Sequence, residues 1–342
     1  MQALVLHAPR HLTLEEVPVP HLAPYEVLVQ VAACGVCGSE VHGYLGRSAR
    51  RNAHLPLIMG HEFTGRVAAV GEWVGEQVRV GERVFVQPLI TCRRCQACQS
   101  GFANVCPQMA LVGIERPGAF AEFVAVPADR VFPLPDSLSD EEGALVETLA
   151  IEVHLFRRMA PPLLRSVAVL GAGAQGLFAV QLARLAGATQ VMVSDVVPAR
   201  LALAERLGAT LTIRADQEDV VQRIRAQTDG WGVDFAIDAA GAPVTRQQGV
   251  AILQPGGTLG VVGLGIGETT LDFIPVVNRE LSIRGCYCYS DDDFVRASEL
   301  IASGQIRVKE MIHIAPLREG VSYIERLAAD PGGLTKVVFK LG

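Results

Sequence analysis

Hydrophobic and polar positions follow two different patterns along the chain. In the N-terminal part, short apolar runs rich in β-forming residues alternate with prolines and glycines, as at 27–33, 64–70 and 83–86. The prolines between residues 18 and 24 exclude a helix there, because proline fixes φ and removes a backbone donor. This pattern predicts a β-rich domain with irregular connections.

From Ser166 the pattern changes to strands that alternate with helices. A strand at 166–170 precedes a glycine turn, an apolar helix at 177–186 and a second strand at 190–194. Further strands are predicted at 211–213, 233–237, 258–262 and 281–284, and further helices at 198–207, 218–226 and 244–253. Such alternation predicts a parallel sheet that is covered on both faces.

The length of 342 residues favours two domains. A helix is predicted at 139–159, and two helices with a last strand at 336–339 close the chain. Because we expect these last elements to pack on the first domain, the prediction is a catalytic domain of residues 1–149 and 288–342. A nucleotide-binding domain of residues 150–287 is inserted into it.

The composition narrows the possible partners and the compartment. Half of the residues are hydrophobic and the net charge is −6, which argues against a nucleic-acid or anionic-membrane partner. We find no secretory signal, and glycines and acids interrupt the apolar stretch at 256–277. A soluble cytoplasmic protein is therefore expected, and there clustered cysteines are more often metal ligands than disulfides.

Four cysteines are clustered in a lobe near residues 88–107. They are Cys92, Cys95, Cys98 and Cys106. Four thiols at this density predict a closed, structural zinc site, because no coordination position is left for a substrate. Two disulfides or four free thiols are the alternative, which the tight spacing and a reducing compartment disfavour.

A second group of metal-binding residues lies between Cys37 and Glu62. Cys37, His61 and Glu62 have the side chains of an open zinc site, which needs only three protein ligands. The same residues are also compatible with ordinary core positions, and this segment alone does not decide between the two. Glu147, in an apolar part of the predicted helix, is either on an exposed face or held by a partner such as a metal.

A glycine-rich turn follows the first strand of the α/β segment. Its residues are Gly171, Gly173, Gln175 and Gly176, and Asp195 ends the next strand. Strand, turn, helix, strand and acid in this order predict a dinucleotide site with its pyrophosphate at the helix N-terminus. Asp195 would repel a 2′-phosphate, so NAD is expected rather than NADP. A metabolite-binding domain without a dinucleotide is the alternative.

Together these parts resemble the zinc-containing medium-chain alcohol dehydrogenases, specifically the polyol and threonine dehydrogenase branch. The resemblance covers essentially the whole chain, and it rests on residues 35–39, 60–62 and 118–122, the four-cysteine lobe, and the Gly171 turn with Asp195. It implies a GroES-like catalytic domain with an inserted Rossmann domain. It also implies NAD, two zinc ions per chain, and a homodimer or homotetramer.

The resemblance also implies roles for single residues. The ligands of the catalytic zinc would be Cys37, His61, Glu62 (directly or through water) and Glu147, and the proton relay would be Ser39 and His42. Asp195 and Arg200 match the ribose-binding pair. The cofactor contacts on the nicotinamide side would be Val262, Gly263, Leu264, Cys286 and Tyr287.

Two departures from the family pattern bear on the substrate. Thr148 stands where the family usually has proline, and Cys288 precedes Tyr289 where sorbitol-type enzymes carry arginine. The predicted function is oxidation of a secondary alcohol, a polyol or sugar alcohol, to a ketone. The alternatives are an L-threonine 3-dehydrogenase and a non-catalytic NAD-binding protein on the same fold.

Overall fold

The computed structural model describes residues 1–159, 166–265 and 267–341. The chain forms two compact units, one of Met1–Thr148, Ala297–Ala302 and Ile312–Gly342, the other of Leu149–Arg296 and Ser303–Met311. Residues 288–296 and 303–311 thus group with the second unit, whereas the sequence-based division assigned them to the first. One reason is that the Gln181 side chain hydrogen-bonds the backbone of Arg307 at both its amide ends.

The first unit is rich in short strands. They are β1 (Gln2–Ala8), β2 (His11–Glu16), β3 (Glu26–Gly35), β4 (Leu57–Ile58), β5 (Glu62–Val70), β6 (Arg83–Val86), β7 (Leu89–Ile90), β8 (Ala110–Leu111), β9 (Phe123–Pro127) and β10 (Val131–Pro133). Its short helices are α1 (Gly38–Tyr44), α2 (Ala49–Asn52), α3 (Gln96–Gln99) and α4 (Asp140–Gly143). The unit boundary falls within α5 (Val146–Met159).

The second unit alternates strands and helices. Its strands are β11 (Ser166–Leu170), β12 (Gln190–Asp195), β13 (Leu211–Arg214), β14 (Val233–Asp238), β15 (Leu253–Val261) and β16 (Ser282–Gly285). Its helices are α6 (Ala174–Leu185), α7 (Pro198–Arg206), α8 (Val220–Gln227), α9 (Pro243–Ala251) and α10 (Ile274–Asn278), followed by α11 (Asp291–Ala302). The chain ends in the first unit with β17 (Ile312–Pro316), α12 (Gly320–Ala329) and β18 (Lys336–Lys340).

The sheets confirm the predicted fold class. In the second unit the order is β13-β12-β11-β14-β15-β16 and every pairing is parallel. In the first unit the largest sheet has the order β10-β6-β5-β3-β18-β17, with β9 also paired to β3. As expected, the last strand returns to this unit, where Val338 of β18 lies opposite Gly35 of β3. No helix in the described residues is both long and apolar enough to cross a membrane.

Two helical segments differ from the sequence-based expectation. The helix predicted at 139–159 is divided into two. The one-turn helix α4 starts with a capping box formed by Ser139 and Glu142 and ends at its C-cap Ala144, and α5 begins at Val146. Helix α1, which begins directly after Cys37, was not predicted. Gly38 and Gly43 lower the helix propensity of this segment, so the sequence did not indicate a helix there.

Candidate metal centres and nucleotide site

Helix α1 and strand β5 bring the residues of the first metal centre together. Cys37 is the N-cap of α1, His61 directly precedes β5, and Glu62 is the first residue of that strand. The ligand atoms of Cys37, His61 and Glu62 lie within 4.8 Å of one another. This donor set of thiolate, imidazole and carboxylate is one that zinc binds, so the residues present fit the ion.

The carboxylate of Glu62 is completely buried and has two protein partners. Thr148 Oγ1 donates to Glu62 Oε1 at 2.9 Å, and the Lys336 ammonium forms an ion pair with Glu62 Oε2. Burial alone would lower the pKa of Lys336, but the nearby charges of Glu62 and Cys37 raise it above its ordinary value. Lys336 is therefore a buried cation that offsets the negative charge of the metal-binding side chains.

Glu147 is buried in the first turn of α5, which rules out the exposed-face interpretation. Its charge also contributes to the raised pKa of Lys336, so Glu147 lies near the same cluster. Among the described residues, however, the group with ligand atoms within 4.8 Å contains Glu62 and not Glu147. The role of Glu147 as a zinc ligand stays a prediction.

The two residues of the expected relay lie on α1. The Oγ atom of Ser39 is buried and has no hydrogen-bond partner in the part of the chain that the structure describes. A buried hydroxyl of this kind is available to a substrate or a water molecule. His42 is half-buried, and burial together with the positive charges of Arg47 and Arg51 lowers its pKa. Near neutral pH the imidazole is accordingly neutral and able to accept a proton.

Glu40 is a candidate site residue that the sequence analysis missed. Glu40 Oε1 lies 2.7 Å from His61 Nδ1 and 3.1 Å from Arg51 Nη2, and all three side chains are buried. Burial opposes the charged carboxylate, but His61 and Arg51 lower the pKa of Glu40 to about 2. An ionised Glu40 holds the His61 ring through Nδ1 while the ring also meets the Cys37 thiol, an orientation that carboxylates commonly give to metal-binding histidines.

A sequence signal for Glu40 did exist. An acid three residues after a potential N-cap indicates a capping box, and here Glu40 Oε2 accepts the backbone N–H of Cys37 at 2.9 Å. The Glu40 carboxylate therefore connects Cys37, at the start of α1, with the imidazole of His61.

The four cysteines of the lobe form the second metal centre. Neighbouring sulfur atoms are separated by 3.9 Å (Cys92–Cys98), 3.5 Å (Cys95–Cys98), 3.7 Å (Cys95–Cys106) and 3.5 Å (Cys92–Cys106). A tetrahedral site with Zn–S bonds of ~2.3 Å requires sulfurs ~3.8 Å apart. Backbone N–H groups of Cys95 and Gln108 also point at the sulfurs of Cys92 and Cys106. The residues present fit a structural zinc ion.

The glycine turn of the second unit has the geometry of a phosphate-binding turn. Gly171 has φ +103°, and a Cβ on Gly176 would lie 1.8 Å from the Gly171 carbonyl oxygen. Both positions therefore need glycine. Helix α6 starts with Gly173 as its N-cap, so Gln175 and Gly176 lie in its first turn. The first turn of a helix directs its backbone N–H groups toward an anion, so this arrangement suits a phosphate.

Asp195 ends β12 beside this turn. Its Oδ2 accepts the backbone N–H of Ala172 at 2.7 Å, and its Oδ1 accepts that of Val197 at 2.8 Å. Arg200 follows in the first turn of α7. The carboxylate thus fixes the glycine turn as well as placing a negative charge at the carboxyl end of the strand.

The expected nicotinamide-side residues follow the ends of two neighbouring strands. The backbone N–H groups of Val262 and Gly263 both donate to the Asp238 carbonyl after β15, and Leu264 is exposed. Cys286 and Tyr287 follow β16, with Cys286 N–H bonded to the Val261 carbonyl at 3.0 Å. In parallel sheets ligands bind at this edge, beyond the carboxyl ends of the strands.

Comparisons with known proteins cover both units. Residues 23–136 match the alcohol dehydrogenase GroES-like domain, and residues 174–303 match the zinc-binding dehydrogenase family. The chain is 37% identical to sorbitol dehydrogenase of Bacillus subtilis, over 91% of this chain and 89% of the relative.

Solved structures agree with this result. Galactitol-1-phosphate dehydrogenase of Escherichia coli superposes with a TM-score of 0.91 at 28% identity, covering 100% of both chains. A protein of Sinorhizobium meliloti described as a zinc-binding dehydrogenase, solved with NADP bound, gives 0.92 at 33% identity and covers 99% of both chains.

Proposed function

The chain belongs to the zinc-binding dehydrogenases with an alcohol dehydrogenase GroES-like domain, and from this premise we propose that it oxidises a polyol or sugar alcohol to a ketone with NAD. The observation that carries the proposal is the convergence of Cys37 with the buried side chains of His61 and Glu62 in one cluster. That the protein is a zinc-dependent alcohol or polyol oxidoreductase follows from its family. The polyol, the cofactor and the residue roles are the proposed part.

The proposed mechanism assigns a task to each residue of the first metal centre. Cys37, His61 and Glu62, with Glu147 beside them, would hold the zinc ion. When bound, zinc supplies the Lewis acidity that lowers the pKa of the substrate hydroxyl, and NAD is the hydride acceptor. The buried Oγ of Ser39 would take the hydroxyl proton while it releases its own, and the neutral imidazole of His42 would complete the relay by releasing a proton to solvent.

NAD is proposed over NADP because of the charge at the end of β12. The Asp195 carboxylate is held in place by two backbone N–H groups and would meet the 2′-phosphate of NADP with like charge. Val196 and Val197 follow it and provide no cation. The ratio of kcat/KM for NAD over NADP tests this choice, because the similar protein of Sinorhizobium meliloti was solved with NADP bound.

The position before Tyr289 restricts the substrate. Tyr289 is buried and stacks on Phe294 with ring centroids 5.5 Å apart. Cys288, at the position before it, brings no charge to substrate hydroxyls, whereas the resemblance implies an arginine there in sorbitol-type enzymes. We therefore propose a polyol or vicinal diol other than sorbitol itself.

A second copy of this chain is the proposed partner. Strand β16 forms one edge of the six-stranded sheet, and all four of its residues are exposed. Phe273, Ile274 and Val277 near it are also more than 60% exposed. A free edge strand with apolar neighbours is suited to pairing with another sheet.

We also propose a reducing compartment, the cytoplasm. Six of the eight cysteines, all but Cys286 and Cys288, are clustered in or near the two metal centres, where oxidation to disulfides would remove zinc ligands.

The experiment that tests the proposed function is NADH formation from a panel of polyols, vicinal diols, secondary alcohols and L-threonine, with and without a chelator. Turnover of polyols or diols that the chelator abolishes is the expected result. Turnover of L-threonine alone would overturn the substrate class, and turnover by Cys37→Ser would overturn the metal mechanism. A protein that retains zinc and NAD but oxidises nothing would favour the non-catalytic alternative.

A further inference from the structure

The environment of Glu62 contains one element that the proposed mechanism does not use. The carboxylate is fully buried and lies between two donors, Lys336 on β18 and Thr148 on α5. Lys336 and Thr148 are each only 3% exposed, so bulk water does not compete with them. Each donor faces a different oxygen of the carboxylate, so the orientation of Glu62 is fixed from both sides.

The glycine at position 35 leaves the space that this arrangement needs. Gly35 lies directly opposite Glu62 in the β3–β5 pairing, and a Cβ there would lie 2.4 Å from Glu62 Oε2 and 3.2 Å from Lys336 Cε. The absence of a side chain at Gly35 thus leaves room for the ion pair. Thr148 then provides a hydrogen bond to Oε1, the oxygen that Lys336 does not neutralise.

We propose that Thr148 is a positioning residue that restrains Glu62 Oε1 and so weakens the bond between Glu62 and zinc. The inference rests on the proposed function, because it concerns the same metal centre. A hydroxyl that donates to a carboxylate oxygen lowers the charge that this oxygen offers to a metal. Glu62 is then held near the ion as a weak ligand, and the fourth coordination position stays open to the alcohol.

Thr148 is suited to this role by its chemistry and its place. Its hydroxyl is a hydrogen-bond donor, and its place in the first turn of α5 brings that donor to Glu62 Oε1. Thr148 also directly follows Glu147, whose side chain is itself expected at the zinc. The start of α5 would thus supply both one ligand and the control of another.

The test compares Thr148→Val with Thr148→Ser. Valine keeps the shape of the side chain but removes the donor, whereas serine keeps the donor. In Thr148→Val the freed Oε1 is expected to bind the metal more firmly, so zinc release to a chelator slows about five-fold, the effect of one hydrogen bond. The visible absorption of the Co²⁺-substituted protein changes as well, and turnover falls. Thr148→Ser is expected to match the parent in all three measurements.

Zinc release is expected in two phases, because the four-cysteine lobe releases its own zinc. The phase that is missing in Cys37→Ser belongs to the first metal centre. Unchanged zinc release and an unchanged Co²⁺ spectrum in Thr148→Val, with only a lower melting temperature, would overturn the proposal in favour of a purely structural residue. Faster zinc release in Thr148→Val would also overturn the proposal, because it would mean that the hydrogen bond strengthens zinc binding. Because metal release and the Co²⁺ spectrum need no substrate, they test Thr148 even if the proposed polyol activity fails.

Discussion

Gly35 and Glu62 face each other across the β3–β5 ladder so closely that any side chain on the glycine would collide with the carboxylate. Gly35→Ala is therefore expected to displace Glu62 from Lys336. Overpacking at a buried site costs about 1–3 kcal/mol, and a displaced metal-binding carboxylate adds a functional loss. We expect a melting temperature several degrees lower, and kcat/KM reduced at least ~10-fold, which corresponds to about 1.4 kcal/mol.

Gly38 provides the matched control for Gly35. It lies in the same segment, and a Cβ there would meet nothing within 4 Å. Gly38→Ala should leave zinc content and activity near those of the parent and raise stability slightly, since alanine is the better helix former in α1. Equal behaviour of the two alanine variants would show that the close approach to Glu62 has no consequence.

The pair of Glu40 and His61 leads to a second prediction, on metal affinity. Glu40→Gln keeps the shape but removes the charge that orients His61 and neutralises the buried Arg51. Loss of such outer partners typically costs 10–100-fold in metal affinity, and an unpaired buried charge costs about 3–5 kcal/mol of stability. We expect both effects in zinc titrations and in thermal unfolding.

The control for Glu40→Gln is a surface pair. Glu310 bonds Arg206 and Arg307 and is about one-third exposed. Glu310→Gln should change the free energy of unfolding by no more than ~1 kcal/mol, because solvent screens the pair. If Glu40→Gln behaved like Glu310→Gln and bound zinc normally, Glu40 would have no role in orienting His61.

Sequence reasoning identified most of the parts, and its failures have a common physical cause. The alternating α/β pattern from Ser166 and the cysteine spacing carry local, periodic signals, and both led to the observed elements. The partners of Glu62 carry no such local signal. Lys336 comes from β18, which pairs with β3, and Thr148 comes from α5, so both are distant from Glu62 in the sequence. Glu40 was missed because helix α1 was missed. Without a predicted helix start at Cys37, the three-residue spacing to Glu40 does not indicate a capping box.

Removal of one thiol from the cysteine lobe tests the second metal centre. Cys98→Ser replaces one of four sulfurs that lie at tetrahedral spacing. Because structural zinc contributes directly to folding, we expect the loss of one zinc per chain and a lower melting temperature. NAD binding should persist, as the glycine turn lies in the other unit. An unchanged melting temperature and zinc content would contradict a structural site.

The cofactor prediction depends on Asp195, whose charge and hydrogen bonds need to be separated. Asp195→Asn keeps an acceptor for the N–H groups of Ala172 or Val197 but removes the charge that repels a 2′-phosphate. We expect it to lower the ratio of kcat/KM for NAD over NADP at least ~10-fold, or about 1.4 kcal/mol. Asp195→Ala should change the ratio similarly and also weaken NAD binding, because the glycine turn then loses its acceptor. A ratio that stays constant in both variants would mean that the carboxylate serves the turn alone, and the selection of NAD would have to come from elsewhere.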